Sequence, residues 1–409
     1  MNNSPFLVLR ITEFRNFVLG RFAFIMGLRM MGTLVAWWMY ELTKDPLNIG
    51  MIGLAEAIPA VGLALYGGYI VDKSDKRKLL LRAMSLFGIC ALILLCTSTN
   101  WFQLSFANKA IVIAMYSVIF CTGVIRAFSG PAFGAVIASL VPRENLIAAS
   151  QISSTSYLVA SITGHAIAGF FIAWFHVTGT FMIICSLIFT GVGFMYLIKP
   201  KPPGISSEKK TLEAVTEGLK FVFKTKEVLA AISLDLFAVL FGGAAALVPV
   251  YASVILHVGP KGYGLLNAAT DIGAIMMVVW LTLSPLKKRQ GLKLLFAVAG
   301  FGACIIVFGL SKWYWLSFFA LMLSGVLDGL SVVVRGNIMQ LKTPDELRGR
   351  VMSVNSMFIN SSNEIGQFES GVAAKLMGNV PSVVFGGCMT ILVVVVTWFK
   401  APSLKKLEY

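Results

Sequence analysis

Charged side chains are scarce in this chain. Asp, Glu, Lys and Arg make up 13% of its 409 residues, about half the share of a soluble domain, which excludes an ordinary two- or three-domain soluble protein. The six Cys have no CxxC pair and no matched spacing, which excludes a disulfide framework or a cysteine metal site and leaves them as small buried hydrophobes. HExxH, GxxxxGK[ST] and a nucleophile elbow are all missing. Neither ATP-driven work nor membrane hydrolysis is therefore indicated, the chain is not read as an enzyme, and no cofactor or metal is called for. No cleavable signal is visible, and the first long apolar run is expected to stay as a helix.

What fills the chain is apolar: 57% hydrophobic residues, 38 Gly and 30 Phe, with a mean hydropathy of +0.82. Apolar runs of roughly 20 residues recur along it, each long enough to cross about 30 Å of hydrocarbon. The runs are continuous, not alternating, which excludes a β-barrel. About twelve spans are expected, near 14–40, 48–71, 79–98, 104–128, 147–174, 178–198, 227–256, 262–285, 292–310, 314–340, 351–376 and 380–399. With the N-terminus inside, 25 of the 34 Lys and Arg fall on the cytoplasmic side. That bias expects both termini in the cytoplasm of a multi-pass membrane protein. The net charge of +15 therefore reports topology, and nucleic acid is not an expected partner.

The longest polar stretch, KPKPPGISSEKKTLEAVTEGLKFVFKTK at 199–226, lies at the midpoint. Leu212, Val215, Leu219 and Val222 recur there at helical spacing with Lys on the other face, which predicts an interfacial amphipathic helix. The chain is thereby read as a six-helix bundle over 1–199, a cytoplasmic linker over 200–226 and a second six-helix bundle over 227–409. The halves echo each other. Pro142-Arg143-Glu144 recurs as Pro344-Asp345-Glu346, 202 residues on, and parallel halves around a central cavity form a transporter architecture.

One loop is densely ionic: in YGGYIVDKSDKRKLLL, six of the seven residues from Asp72 to Lys78 are charged. Gly68, Asp72, Lys73, Lys76 and Arg77 here resemble the G-x-x-x-D-[RK]-x-G-[RK]-[RK] signature between helices two and three of the major facilitator superfamily, with Asp75 in place of the usual Gly. WWMYELTKDPLNIGMIGLAEAIPA, DLFAVLFGGAAALVPVYA and TPDELRGRVMSVNSMFINSSNEIGQFESG are similar to the branch containing the enterobactin exporter and macrolide efflux proteins. The resemblance implies an all-α fold of twelve helices in two pseudo-symmetric bundles, rocking about a central site, with proton antiport and outward transport. It also implies that Asp72 latches the cytoplasmic side against the start of span eleven, near Arg348 and Arg350.

An ionisable group inside a span costs about 2.5–3.5 kcal/mol on insertion scales, so each one needs a cavity or a partner. Arg29, mid-span, is expected to face a cavity and hold an anionic or polar group, or else to pair with Glu56 or another acid. Arg21, nearer the cytoplasmic end, reads as an anchor. Arg126 and Asp328 occupy corresponding places in the half-repeats, and Arg126 stands where the superfamily's fourth-helix arginine resembles a proton-coupling residue. Asp328 and Arg335 lie about two turns apart on one face, looking into one cavity at different depths. Glu56 and Asp235 are carboxylates in apolar surroundings; desolvation disfavours the charged form, which suits uptake and release of a proton. Span eleven carries Ser356, Asn360, Glu364, Gln367 and Gly371 on one face, a polar stripe that lipid would leave unsatisfied and that is expected to wall a cavity. His165 replaces the proline of the antiporters' fifth-helix motif, either as a titrating imidazole or as a hydrogen bond to a neighbouring helix.

The expected function is a secondary exporter of a small amphipathic molecule, siderophore or drug-like, in the bacterial inner membrane. Its partners are that substrate, protons and the lipid bilayer, and it acts as a monomer. The alternative is a lipid flippase or an uncoupled membrane receptor on the same scaffold.

Overall fold

In hydrocarbon no water is present to satisfy N–H and C=O groups, so each apolar run can cross only as a helix. The computed structural model describes residues 5–63, 66–67, 70–71, 74–200, 211–284, 289–405 and 407, and among these the regular structure is helical throughout. The long helices are α1 (Thr12–Thr43), α2 (Pro46–Gly62), α3 (Lys76–Thr97), α4 (Asn108–Leu140), α5 (Leu146–Tyr196), α6 (Thr211–Lys224), α7 (Lys226–Gly242), α8 (Gly259–Leu283), α9 (Gln290–Leu310), α10 (Tyr314–Lys342), α11 (Asp345–Met377) and α12 (Asn379–Lys400). Every expected span carries helix among them. Eight helical segments are long and apolar enough to cross a membrane by length and composition. One of these holds two expected spans, because α5 turns a corner at His176 (φ 55°, ψ −170°). Helices α2 and α7, at 17 residues each, and the polar α11 complete the expected set.

Span seven is discontinuous. After Gly243 (φ −72°, ψ 62°) the chain continues as a 3-10 turn over Ala244–Leu247 and a π-turn over Tyr251–Ile255. The break frees carbonyls, and neighbouring hydroxyls collect them. Ser370 on α11 donates to the Gly243 carbonyl at 3.0 Å, and Thr390 on α12 donates to that of Ala238 at 3.1 Å. Such repair by Ser and Thr is what makes a broken helix tolerable at membrane depth.

The chain forms two compact units, residues 1–38 with 58–208, and residues 39–57 with 209–409. The first is centred on aromatic packing, with Phe24 against Phe87 (5.5 Å between centroids) and Phe133 (5.8 Å). Lipid is as apolar as a side chain, so helices gain little by burial alone and instead pack through small residues. Gly20 faces Gly191 so closely that a Cβ on Gly20 would sit 3.0 Å from the Gly191 carbonyl oxygen. In the second unit, Gly50 of α2 meets Gly371 of α11, where a Cβ on Gly50 would lie 2.9 Å from the Gly371 Cα. Lys375 and Asp45 form an ion pair one turn further along.

The half-repeat is visible in the backbone. Pro142 (φ −59°, ψ 152°) precedes the 3-10 turn Arg143–Asn145, and Pro344 (φ −54°, ψ 148°) precedes α11. A proline ring fixes φ and removes a donor, so both positions start a new helix after a span.

Two expectations change. The linker helix α6 is docked on protein: Val222 is buried in the second unit's core with Leu219 and Phe221 packed beside it, and Glu217 pairs with Arg350. Its Leu219 and Val222 found packed partners in that core, so lipid is not needed to cover them, while the side chains of Leu212 and Val215 lie outside the described residues. Of the cysteines, all free, Cys90, Cys185 and Cys304 are buried but Cys96, Cys121 and Cys388 are exposed on helix surfaces. A helix face that meets hydrocarbon accepts a small apolar side chain without burial in protein.

Candidate functional site

In the first unit a polar seam runs between α1 and α5. Residues four apart share a helix face. On α1 that face carries Arg21, Arg29 and Thr33, and on α5 it carries Ser153, Tyr157 and His165. The two sets meet in order. Arg21 donates to the Ser153 hydroxyl and Arg29 to the Tyr157 hydroxyl. Thr33 Oγ1 lies 2.7 Å from His165 Nδ1 and donates to the Arg29 carbonyl at 3.0 Å. The helices approach this closely because Gly164 carries no side chain: a Cβ there would stand 2.8 Å from Arg29 Cβ.

Both guanidinium groups also lie over aromatic rings. Arg21 Cζ is 5.3 Å from the centroid of Phe133 and 5.5 Å from that of Tyr157, and Arg29 Cζ is 5.6 Å from Tyr157. Tyr157 therefore sits between two cations. Among the described residues no carboxylate pairs with Arg21 or Arg29, so the seam holds uncompensated positive charge beside an aromatic face. Such a pair of cations can hold an anion, and the ring adds a stacking surface. Arg21, read from the sequence as an anchor, turns into protein because Ser153 and Phe133 are in reach.

The second unit answers with acids. Asp235 on α7 and Arg335 on α10 form an ion pair with side chains 8% and 3% exposed. The sequence places Arg335 with Asp328 in one cavity and shows no base near Asp235; the fold supplies the base from α10 and spends the guanidinium on it. Asp328, two turns before Arg335, is half-buried and has no ion-pair or hydrogen-bond partner among the described residues.

The stripe on α11 divides along its length. Ser356 and Asn360 are exposed, whereas Glu364 is buried at 3% and Gly371 is buried against α2. A Cβ on Gly53 would lie 2.6 Å from the Glu364 carbonyl oxygen and 2.8 Å from Gln367 Cβ. Only its first half can wall an open space; the second half is a helix contact. The reason is the pair of glycines on α2, which let the two backbones touch.

Other expected residues are placed singly. Glu56 on α2 and Arg126 on α4 are half-buried. Gly68, Asp72 and Lys73 lie outside the described residues. Lys76 and Arg77 open α3, where Asp75 is the N-cap, accepting from Arg77 N at 3.0 Å and Lys78 N at 3.1 Å. The departure from the family's Gly thus has a local role, since Asp satisfies helix donors that Gly cannot. Arg77 donates to the Tyr196 carbonyl at 2.7 Å, bracing the far end of α5. Arg348 donates to the Gln340 carbonyl at 3.3 Å, and Arg350 is held by Glu217 of the linker helix.

Sequence reading found the α11 stripe but passed over Ser153 and Tyr157. Their four-residue spacing within QISSTSYLVASITGH, a polar face opposite arginines eight apart on α1, was the available signal.

Twelve helical spans in related halves, with arginines and carboxylates buried in them, define a membrane transporter of the major facilitator type. Its sequence profile matches that of the transmembrane secretion effectors over residues 3–408, and the chain belongs to this family of the superfamily. It is 23% identical to the enterobactin exporter of Citrobacter koseri over 381 residues, 93% of this chain and 89% of that one. To the enterobactin exporter of Escherichia coli O1:K1 it is 24% identical, over 90% and 87%. Solved structures with the same fold include the nucleoside transporter NupG (TM-score 0.75, 12% identity, covering 95% and 99%) and a D-xylose–proton symporter (TM-score 0.71, 14% identity, covering 99% and 100%). These relatives are transporters, in keeping with the missing enzyme motifs.

Proposed function

We propose that the chain exports a small anionic, aromatic-bearing molecule of the siderophore kind across the bacterial inner membrane, by proton antiport and rocker-switch alternating access. The observation that carries the substrate class is Tyr157 held between Arg21 and Arg29 without a compensating carboxylate. An acidic aromatic ligand would satisfy both cations and stack on the ring. The named relatives export enterobactin, which supports direction and chemistry together. The Lys and Arg bias supports a topology with both termini in the cytoplasm, and we read the transporter as a monomer.

For the coupling proton the reading now favours Asp328. Asp235 is charge-balanced by Arg335, whereas Asp328 is a half-buried carboxylate with no ion-pair or hydrogen-bond partner among the described residues. The Asp235–Arg335 pair is then a structural tie in the second bundle, and Glu56 is a second carboxylate to test. The flippase alternative needs the whole α11 stripe sealed, and the exposure of Ser356 and Asn360 favours the exporter.

The test is flux into everted membrane vesicles with an imposed proton gradient, using a catecholate siderophore, a macrolide and a cationic dye. Gradient-dependent accumulation of the catecholate, lost in Arg29→Gln, is expected. Accumulation of the dye alone, or none of any compound, would remove the proposal.

A further inference from the structure

The outer surface of the second unit carries a second candidate site, away from the buried charges. A cavity of about 820 Å³ opens between α7, α12 and the short helix Pro402–Lys405 that follows. That volume lies in the range of small-molecule pockets, about 300–1,000 Å³. Its walls are apolar, with Leu229 and Phe237 from α7 and Leu392 and Val396 from α12. Phe237, Leu392 and Val396 are 45%, 50% and 44% exposed, so the groove is open along its side and not enclosed. Its two charged lining residues both lie at helix ends: Lys226 is the first residue of α7, and Lys400 the last of α12.

We infer that this groove binds one anionic glycerophospholipid of the cytoplasmic leaflet, its acyl chain along Leu229, Phe237, Leu392 and Val396 and its phosphate at Lys226 and Lys400. The arrangement has the polarity of such a lipid, apolar along the span and cationic at the end where the headgroup lies. The Lys and Arg bias puts that end on the cytoplasmic side, where anionic headgroups attract basic residues. The lysine ammonium groups are also positioned by their elements, since each sits at a helix end that fixes its depth. Lys405, on the following short helix, lies 4.0 Å over the Trp398 ring, which holds that helix against α12. A zwitterionic lipid would fit the apolar walls equally but leave both lysines unanswered. The inference is independent of the exported substrate, because no residue of the seam takes part.

The experiment is native mass spectrometry of the purified full-length protein, titrated with phosphatidylglycerol and, separately, phosphatidylcholine. Phosphatidylglycerol is expected to bind at least tenfold more tightly. Lysine near an anionic membrane surface contributes a factor of about five each, so K226Q/K400Q should weaken phosphatidylglycerol about 25-fold and leave phosphatidylcholine unchanged. K226R/K400R should retain binding, which separates lost charge from a misfolded chain, and Ala230→Trp, which fills the apolar wall, should block both lipids. Equal affinity for the two lipids, an unaltered K226Q/K400Q, competition by inorganic phosphate alone, or a dimer whose formation removes the site would each overturn the inference.

Discussion

Replacing Asp235 by Asn should destabilise the protein far more than replacing Asp235 and Arg335 together. The two side chains are 8% and 3% exposed, so deleting the carboxylate leaves a guanidinium with neither water nor counter-charge. Breaking one partner of a buried pair costs about 3–5 kcal/mol, whereas replacing both by neutral groups of similar size is near neutral. In populations, the singles should shift the folded-to-unfolded ratio by about two to four decades. The assay is denaturation of the detergent-purified protein followed by its tryptophan fluorescence, for Asp235→Asn, Arg335→Met and the double variant. A double-mutant cycle gives the coupling directly, because the residues touch and share no longer route. Singles that each cost under about 1 kcal/mol, or costs that simply add in the double, would refute the buried pair and return Asp235 to the list of free carboxylates.

Three further outcomes follow from the same geometry. Asp328→Asn should abolish gradient-driven flux while leaving denaturation midpoints within about 0.5 kcal/mol of the parent, because it breaks no ion pair or hydrogen bond among the described residues; gradient-driven flux at parental rates would dismiss it as the coupling group. Gly50→Leu should lower stability and flux together, since its side chain would have to enter space held by the Gly371 backbone, and a neutral result by the same two measurements would show that α2 and α11 are not in contact. Asp75→Ala should cost about 1 kcal/mol through loss of the N-cap on α3, measured by the same denaturation; an unchanged midpoint would mean the cap contributes nothing.

Much of the fold was legible because the membrane demands it. Runs such as LLLRAMSLFGICALILLCT can be satisfied only as helix, so hydropathy located the spans. The expected spans 147–174 and 178–198 left the corner at His176 in the gap between them, but the left-handed residue that makes it was not legible: HVTGT carries no proline, and that residue is set by where the two helices must pack. The break after Gly243 was similarly hidden, since the hydroxyls that repair it, Ser370 and Thr390, are more than a hundred residues away. The candidate site divided in the same way. Arg29, Asp235, Asp328 and Arg335 stood out because a charge in an apolar run is conspicuous on its own. Their partners did not, because pairing is a property of helices brought together and not of spacing along one. Tyr157 shows the difference. It is unremarkable in its own helix and acquires a role only between two arginines from α1.

The turns at Lys44 (φ 52°), His176 (φ 55°) and Gly378 (φ 92°) are each made with a single positive-φ residue, and the turn at His257 (φ 51°) adds Gly259 (φ 64°). On the proposed topology all four fall on the outward side, while the long charged stretches lie inside. Turns cut so close leave these four connections no length to fold over an occupied site as a lid. Any seal on that side must be made by helix walls themselves, of the kind formed by Gly50 against Gly371. Engineering of its exit should therefore be aimed at helix-facing glycines, and antibodies or proteases applied from outside at the longer connection over 98–107, with its exposed short helix Asn100–Ser105.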